Sequence, residues 1–142
     1  PPAGWGTWQV EDSRGSFTWD RAVGHLAPGA ARAAQVRNGC FIQTLAPVKP
    51  GERYVVAGRY RLQGRGTAWL RVRWQKPEGG WVAEQRDKLI YGAGEPGEWG
   101  ELFGVAEVPE GAGKLVLLLC VDGQMSPEDV AWFDDVRCHK LD

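Results

Sequence analysis

The sequence predicts an all-β protein, a sandwich of two antiparallel sheets, from three observations. Glycine and proline are frequent, with 20 and 9 residues, and they divide the chain into short segments. Those segments alternate apolar and polar side chains, which is the period of a strand with one buried face. A chain of 142 residues also suits one domain with a sizeable core. We therefore expect residues 1–142 to form a single β-sandwich domain.

Ten segments have the length and composition of strands, and turn residues separate them. Asn38-Gly39 is the sequence of a type I′ hairpin turn, and Pro28–Ala34 is interpreted as a loop that enters a strand. Later turns are predicted at 49–51, 78–80, 94–97 and 109–113, where Gly and Pro cluster. The predicted strands are Trp5–Val10, Ser16–Asp20, Ala33–Arg37, Cys40–Ala46, Arg53–Leu62, Thr67–Gln75, Trp81–Arg86, Trp99–Val108, Lys114–Val121 and Val130–Cys138.

Charge, hydropathy and cysteine spacing exclude several classes of protein. A formal net charge of −1 provides no field for nucleic acid or an acidic membrane. The longest apolar run, Leu115–Val121, has strand length and cannot span a membrane. Cys40, Cys120 and Cys138 are too few for a disulfide framework and too far apart for a zinc knuckle. One pair can bridge, but buried reduced cysteines are the favoured interpretation. The chain starts at Pro1 without a secretory signal pattern, so we expect a piece of a longer protein.

The segment Thr67–Gln75 carries the most informative pattern. One face is apolar and suits the core, and the other carries a row spaced by two: Trp69, Arg71, Arg73 and Gln75. Sugars need flat apolar surfaces for their C–H faces and planar polar groups for their hydroxyls. The row would extend along about 20 Å of sheet, enough for several sugar units. An arginine pair would also suit anionic sugars. The alternative is that Trp69 covers a sheet edge and the arginines form an ordinary solvated face.

The other tryptophans divide between core and surface in this interpretation. Trp74 and Trp132 are predicted core residues. Trp5, Trp8 and Trp19 are expected to close one end of the sandwich. Trp81 and Trp99 follow or flank glycines, and either a structural or a ligand-binding role fits them.

Five motifs, in this order and at this spacing, resemble one family. They are Pro50-Gly51-Glu52-Arg53-Tyr54, Ala68-x-Leu70-x-Val72-x-Trp74, Gly97-Glu98-Trp99, Val108-Pro109-Glu110-Gly111-Ala112 and Ala131-Trp132-Phe133-Asp134-Asp135-Val136. The sequence resembles the jelly-roll carbohydrate-binding modules of the galactose-binding-domain-like kind, which are appended to glycoside hydrolases and polysaccharide lyases. The resemblance covers nearly the whole chain.

This resemblance implies a jelly-roll topology and the position of a binding surface. The segments Cys40–Ala46, Thr67–Gln75, Trp81–Arg86 and Lys114–Val121 would share the sheet that faces the ligand. The Trp69 row would then lie on the floor of a groove. Trp81 is a further candidate for stacking on sugar, and Gln85 and Gln124 are candidates for bonding hydroxyls at its edge.

The resemblance also implies a structural calcium ion. Related modules open with an Asn-x-Gly-Phe-Glu segment whose acidic residue helps to hold calcium, and that segment is absent here. Asp134, predicted to share the inward face with Trp132 and Val136, is the first candidate ligand, because an ionised carboxylate there needs a partner. Asp20 is the second. The alternative is that Asp134 caps backbone amides without any metal.

Nothing in the sequence indicates catalysis. His25 and His139 lie far apart in the chain and are expected at the surface, and no HExxH, Gly-x-Ser-x-Gly or P-loop motif occurs. Asp134 and Asp135 are adjacent on a strand and point to opposite faces, so they cannot act as a glycosidase pair. The implied function is a non-catalytic module that binds a polysaccharide or oligosaccharide for a linked catalytic domain.

The resemblance implies a secreted protein, extracellular or periplasmic, that is a monomer and binds neither nucleic acid nor a membrane. The first alternative is a structural jelly-roll spacer that packs against a neighbouring domain without binding sugar. An apolar outer face at Val116, Leu118 and Cys120 would favour it. A small β-sandwich enzyme such as a lyase is a more remote alternative.

Overall fold

The computed structural model describes residues 1–142, and all its regular elements except one 3₁₀ turn are β-strands. That turn spans Glu84–Arg86. No helix in the chain is long and apolar enough to cross a membrane. The strands are β1 (Gly6–Gln9), β2 (Ser16–Asp20), β3 (Ala30–Ala34), β4 (Asn38–Leu45), β5 (Arg53–Gln63), β6 (Thr67–Gln75), β7 (Lys88–Ile90), β8 (Gly100–Glu107), β9 (Lys114–Asp122) and β10 (Val130–Lys140).

The strands form two antiparallel sheets of five, which confirms the predicted β-sandwich. The first sheet has the order β1-β4-β9-β6-β7, and the second has the order β2-β3-β10-β5-β8. Consecutive strands repeatedly change sheet, as in a jelly roll. Of the four segments predicted to share one sheet, Cys40–Ala46, Thr67–Gln75 and Lys114–Val121 do so, because β4, β9 and β6 are direct neighbours. The fourth, Trp81–Arg86, does not form a strand.

The core lies between the sheets and uses every second residue of the central strands. In β6, Leu70, Val72 and Trp74 are almost fully buried, and their alternation with polar residues is what predicted this face. From the other sheet, Tyr54 and Tyr60 of β5 join the same core. All three cysteines are free thiols; Cys40 and Cys120 are buried, as expected, and Cys138 is partly exposed.

The predicted strand Trp81–Arg86 is wrong. Trp81 makes only an isolated bridge to Gln75, the chain then forms the 3₁₀ turn, and the edge strand β7 starts at Lys88. The run Glu84–Arg86 has no apolar side chain to bury, so it lacks the reason to form a half-buried strand. The indole of Trp74 instead holds the turn, because its Nε1 donates a hydrogen bond to the carbonyl of Arg86 at 3.0 Å.

The predicted hairpin turn at Asn38-Gly39 is also wrong, because both residues belong to β4. The connection from β3 to β4 runs through residues 35–37, where Gln35 has a φ of 57°. Val36 in this connection is fully buried, and its amide donates to the Gln124 side chain at 2.8 Å. A long-range contact therefore decides the position of the turn, and local turn preference does not.

Asp129 organises the loop between β9 and β10. Its side chain accepts backbone hydrogen bonds from Arg65 at 2.8 Å, Met125 at 2.7 Å and Ser126 at 3.0 Å. These bonds, the one from Arg65 first, hold the pKa of Asp129 below its usual range. In the unfolded chain the pKa of an aspartate is about 4, and in the folded protein the pKa of Asp129 is lower. The ionised carboxylate therefore stabilises the folded state above about pH 4, and this stabilisation is lost as the pH falls through the folded-state pKa.

We therefore expect Asp129→Asn to unfold at a lower urea concentration than the wild type at pH 7, and the difference to shrink below about pH 4. Urea unfolding followed by tryptophan fluorescence between pH 2.5 and 7 measures this. Asp142→Asn, at the exposed chain end, is the matched control and should follow the wild type at every pH. A difference for Asp129→Asn that stays constant with pH would contradict the proposed role.

Candidate functional site

A groove of about 570 Å³ lies on the outer face of the first sheet. Its floor comes from β4, β9 and β6, whose other faces build the core. The groove is lined by Trp8, Asn38, Gly39, Cys40, Ile42, Thr44, Trp69, Arg71, Arg73, Gln75, Trp81, Val116, Leu118 and Cys120.

Strand register arranges these side chains in transverse rows. Trp8 pairs with Cys40, Cys40 with Cys120, and Cys120 with Trp69. Because neighbouring strands are about 4.8 Å apart, the backbones of Trp8 and Trp69 are separated by about 14 Å with two small thiols between them. Two tryptophans thus flank a low floor. Along β6, Trp69 and Gln75 are about 20 Å apart, and Trp81 pairs with Gln75 at that far end.

The floor of the groove is apolar. Cys40, Val116, Leu118 and Cys120 form one buried cluster, against which Ile42 and Trp69 pack. Burial raises the pKa of Cys40 to about 11 and also raises that of Cys120. Both thiols therefore stay protonated at neutral pH and contribute to the floor as small uncharged groups. Such a floor is a nearly closed apolar base with few hydrogen-bonding atoms, so contact with a ligand depends mainly on the exposed side chains around it.

Aromatic rings stand at the ends and sides of the floor. Trp69 stacks on Tyr91, with ring centroids 6.1 Å apart and planes inclined by 27°. Trp8 and Trp81 are 52% and 45% exposed, which is unusual for tryptophan in a folded chain. Exposed indoles beside an apolar floor can take the C–H face of a sugar ring or another flat apolar group.

The two arginines of the row are held by carboxylates. Arg71 contacts Oδ2 of Asp87 with Nε at 2.9 Å and Nη2 at 2.7 Å, and Nη2 also donates to Glu84 at 2.9 Å. Burial alone would lower the pKa of Arg71, but the hydrogen bonds to Asp87 and Glu84 raise it overall. Nε of Arg73 lies 3.1 Å from the same Asp87 oxygen. Both guanidinium groups are thus fixed and permanently charged.

Arg73 also links the ion pair to the groove's far aromatic ring. Its guanidinium carbon lies 4.1 Å from the ring centroid of Trp81, within the range of a cation–π contact. The position of Trp81, which is half-exposed and outside any strand, therefore depends on Arg73 and through it on Asp87.

The structure brings most of the predicted site residues together. Trp69, Arg71, Arg73, Gln75 and Trp81 all line the groove. Gln85 is exposed in the 3₁₀ turn and lies outside the lining.

Gln124 is incorrectly predicted as a hydroxyl partner. It is fully buried, and its amide accepts from Val36 and donates to Ala33. A side chain whose polar atoms are already used inside the fold is not available to a ligand.

Sequence reasoning missed three residues around the groove. Trp8 was expected to close one end of the sandwich, but it lines the groove, because β1 pairs with β4 along its edge. Asn38 adds an amide at the start of β4, where a turn was predicted. Asp87 was not singled out at all. No sequence pattern distinguished Trp8 or Asp87: β1 has no buried face, and Asp87 precedes a short edge strand.

Asp20 and Asp134, the predicted calcium ligands, are occupied by N–H donors. Asp20 accepts from the amides of Ala22 and Val23 with one oxygen and from Nε1 of Trp132 with the other. The two oxygens of Asp134 accept from the amides of His25 and Asp135.

Asp134 also lies outside the core. It is two residues after Trp132 and so lies on the same face of β10, and Trp132 belongs to a small cluster that is separate from the core between the sheets. No group of three or more His, Cys, Asp or Glu side chains is placed to hold a metal. The arrangement does not fit a calcium site built on these two carboxylates, and it supports the alternative that Asp134 caps backbone amides. Calcium binding stays a prediction.

Comparison with known proteins identifies structures that share the jelly-roll fold. No protein-family model and no curated protein sequence matches the chain. The enzymatically active domain of bacteriophage CBA120 tailspike protein 4 is similar over 98% of this chain and 20% of its own, with 16% identity and a TM-score of 0.77. The CBM22-1–GH10 modules of Clostridium thermocellum endo-1,4-β-D-xylanase 10B, complexed with xylohexaose, are similar over 96% of this chain and 26% of theirs, with 18% identity and a TM-score of 0.69.

A third structure with this fold is a cyclase from Fischerella sp. TAU in complex with an indolyl butanone. It is similar over 99% of this chain and 86% of its own, with 14% identity and a TM-score of 0.65. Further modules of carbohydrate-binding families 22 and 4 have TM-scores between 0.61 and 0.71. The chain thus has the jelly-roll fold of carbohydrate-binding modules and spans only a small part of the first two proteins. At these identities the likeness concerns the fold.

Proposed function

We propose that the protein is a non-catalytic carbohydrate-binding module that holds a polysaccharide in the groove of the first sheet. The observation that carries this proposal is the combination of exposed tryptophans, an apolar floor and fixed planar polar groups on one strand. Trp69 and Trp81 mark two ends of a surface about 20 Å long, which suits a chain of several sugar rings. The family 22 modules that share the fold support the same function.

In this proposal the aromatic rings supply most of the binding energy and the polar groups supply orientation. Trp69 and Trp81 stack on C–H faces, each contact contributing about 0.5–1.5 kcal/mol beyond the area that it buries. Gln75 and Asn38 bond hydroxyl groups, because an amide has both donors and acceptors in one plane. Arg71 and Arg73 add fixed N–H donors. No reacting group is needed, and the ligand leaves unchanged.

The proposal includes a setting for the module. A polysaccharide is an extracellular or periplasmic ligand, and the module would be secreted as a monomer in one chain with a catalytic domain. Binding then raises the concentration of substrate near that domain without any chemistry of its own. The xylanase in which a CBM22 module shares a chain with a GH10 module supports this arrangement.

Affinity gel electrophoresis tests the function. We expect the protein to be retarded by at least one polysaccharide among xylan, hydroxyethylcellulose, laminarin and polygalacturonate, and its tryptophan fluorescence to change on addition of the same polymer. Incubation with each polymer, followed by an assay for new reducing ends, should show none. Repeating the gel with EDTA reports any calcium dependence. Normal mobility with all four polymers and no change in fluorescence would contradict the proposal.

The spacer alternative has one observation in its favour, the apolar cluster at the groove. However, the side chains of this cluster are only 2–8% exposed: Cys40, Val116, Leu118 and Cys120. A neighbouring domain packed there would bury little additional apolar area and would gain little free energy. The exposed surface consists instead of indole edges and polar side chains, which suits a sugar chain better than a domain interface.

A further inference from the structure

Asp87 is a charged residue beside the groove: it directly precedes β7, the edge strand next to β6, and is not part of the lining. It follows the 3₁₀ turn, and its side chain is only 5% exposed. One of its oxygens lies 2.7 Å from Nη2 of Arg71 and 3.1 Å from Nε of Arg73. A carboxylate in this position is buried because two guanidinium groups compensate it.

The lining itself contains two charged side chains, and both are arginines. Arg71 and Arg73 are 26% and 24% exposed, so part of each guanidinium faces the groove. Their positive charges are opposed by two carboxylates, Asp87 and the 72% exposed Glu84. At separations near 3 Å the positive potential of each arginine is largely cancelled within a few ångströms. The groove is therefore nearly neutral despite its arginine pair.

We propose that Asp87 is the residue that determines the groove's charge specificity. Together with Glu84 it neutralises Arg71 and Arg73, so that the groove accepts uncharged glycans and binds anionic ones weakly. It also occupies the Nε donor of Arg71, which is then not free to bond an incoming anionic group. The sequence suggested that the arginine pair binds anionic sugars. In the structure the two arginines are instead held in ion pairs whose net charge is close to zero. This inference rests on the proposed function for its biological meaning, but the charge balance can be measured independently.

The test compares three variants by elution from heparin-agarose and by affinity electrophoresis in polygalacturonate and in hydroxyethylcellulose. Asp87→Asn removes the buried charge, and Glu84→Gln removes the exposed one. Glu110→Gln is the matched control, because it removes the same charge from an exposed turn residue that is not part of the groove lining. Circular dichroism and thermal melting report whether each variant is folded.

We expect the wild type and Glu110→Gln to leave heparin at the same low salt concentration. Asp87→Asn should be retained to higher salt and should bind polygalacturonate at least about fivefold more tightly than the control at 20 mM NaCl. This gain should disappear in 0.5 M NaCl and in the triple variant Asp87→Asn, Arg71→Gln, Arg73→Gln. Glu84→Gln should show a smaller shift in the same direction, since its carboxylate is solvated.

Two results would overturn the inference. One is a folded Asp87→Asn that behaves like Glu110→Gln on both polyanions; the other is a wild type that already binds polygalacturonate more tightly than the neutral polymer. If Asp87→Asn does not fold, Glu84→Gln decides, because loss of its exposed carboxylate leaves the core intact. If no variant binds a neutral polymer while the heparin shift is present, the proposed function fails and the charge role of Asp87 stands.

Discussion

Replacing Trp69 by alanine is expected to abolish retardation by the bound polysaccharide, with a loss of affinity of about tenfold to a hundredfold. The indole is the aromatic member at one end of the predicted row, packs against the floor cluster and is oriented by its stack with Tyr91. Removing an aromatic platform of this size costs about 1.5–3 kcal/mol of binding free energy. Affinity electrophoresis and fluorescence titration measure the loss.

The same variant should change stability little. Trp69 is half-buried on the outer face of β6, so alanine leaves the core between the sheets intact, and the melting temperature should fall by only a few degrees, about 1 kcal/mol at this chain length. Trp19→Ala is the matched control: its indole is 48% exposed on β2 of the other sheet, and binding should be unchanged. Undiminished retardation of Trp69→Ala would place the ligand elsewhere.

The largest expected effect on stability is that of Trp74→Ala. This indole is 1% exposed in the core, and its Nε1 holds the carbonyl of Arg86. Truncating a buried aromatic side chain costs about 3–5 kcal/mol. For a chain of this length that is a fall in melting temperature of about 10–15 °C. Urea unfolding and thermal melting measure both quantities.

Trp74→Phe separates the two contributions of this residue. Phenylalanine fills most of the volume but cannot donate to Arg86, so we expect a smaller loss of about 1–2 kcal/mol. Because the turn that Trp74 holds precedes Asp87, this variant should also loosen the ion pairs that Asp87 makes with Arg71 and Arg73. A Trp74→Ala protein within 1 kcal/mol of the wild type would contradict the packing described for β6.

The alternation of side chains predicted the central strands and the floor of the groove correctly. In β6 the apolar residues Leu70, Val72 and Trp74 face the core, so the intervening row had to face outward. The jelly-roll topology followed from motifs spread over the chain, and it placed the correct strands side by side. These features follow from the spacing of apolar residues and of turn residues, which can be read from the sequence alone.

The predictions that failed depend on contacts between distant segments. The Asn38-Gly39 turn is displaced because Val36 and Gln124, far apart in the chain, meet in the interior. Gln124 looked like a surface amide, but it serves as an internal hydrogen-bonding group. The importance of Asp87 arises only where the 3₁₀ turn meets β6, and Asp134 proved to be used by backbone amides. The alternation of apolar and polar residues does not predict which N–H group will donate a hydrogen bond to a given carboxylate.

The floor of the groove has a consequence for the kinetics of recognition. The floor is built on three neighbouring strands whose opposite faces form the core. Arg71 and Arg73, which line the groove, are already held by carboxylates. No segment must close or become ordered when a ligand arrives, so little conformational entropy is lost on association. Binding should therefore occur in a single step, with an observed rate that rises linearly with ligand concentration. Differences in affinity among related glycans would then arise mainly from how long each one stays bound.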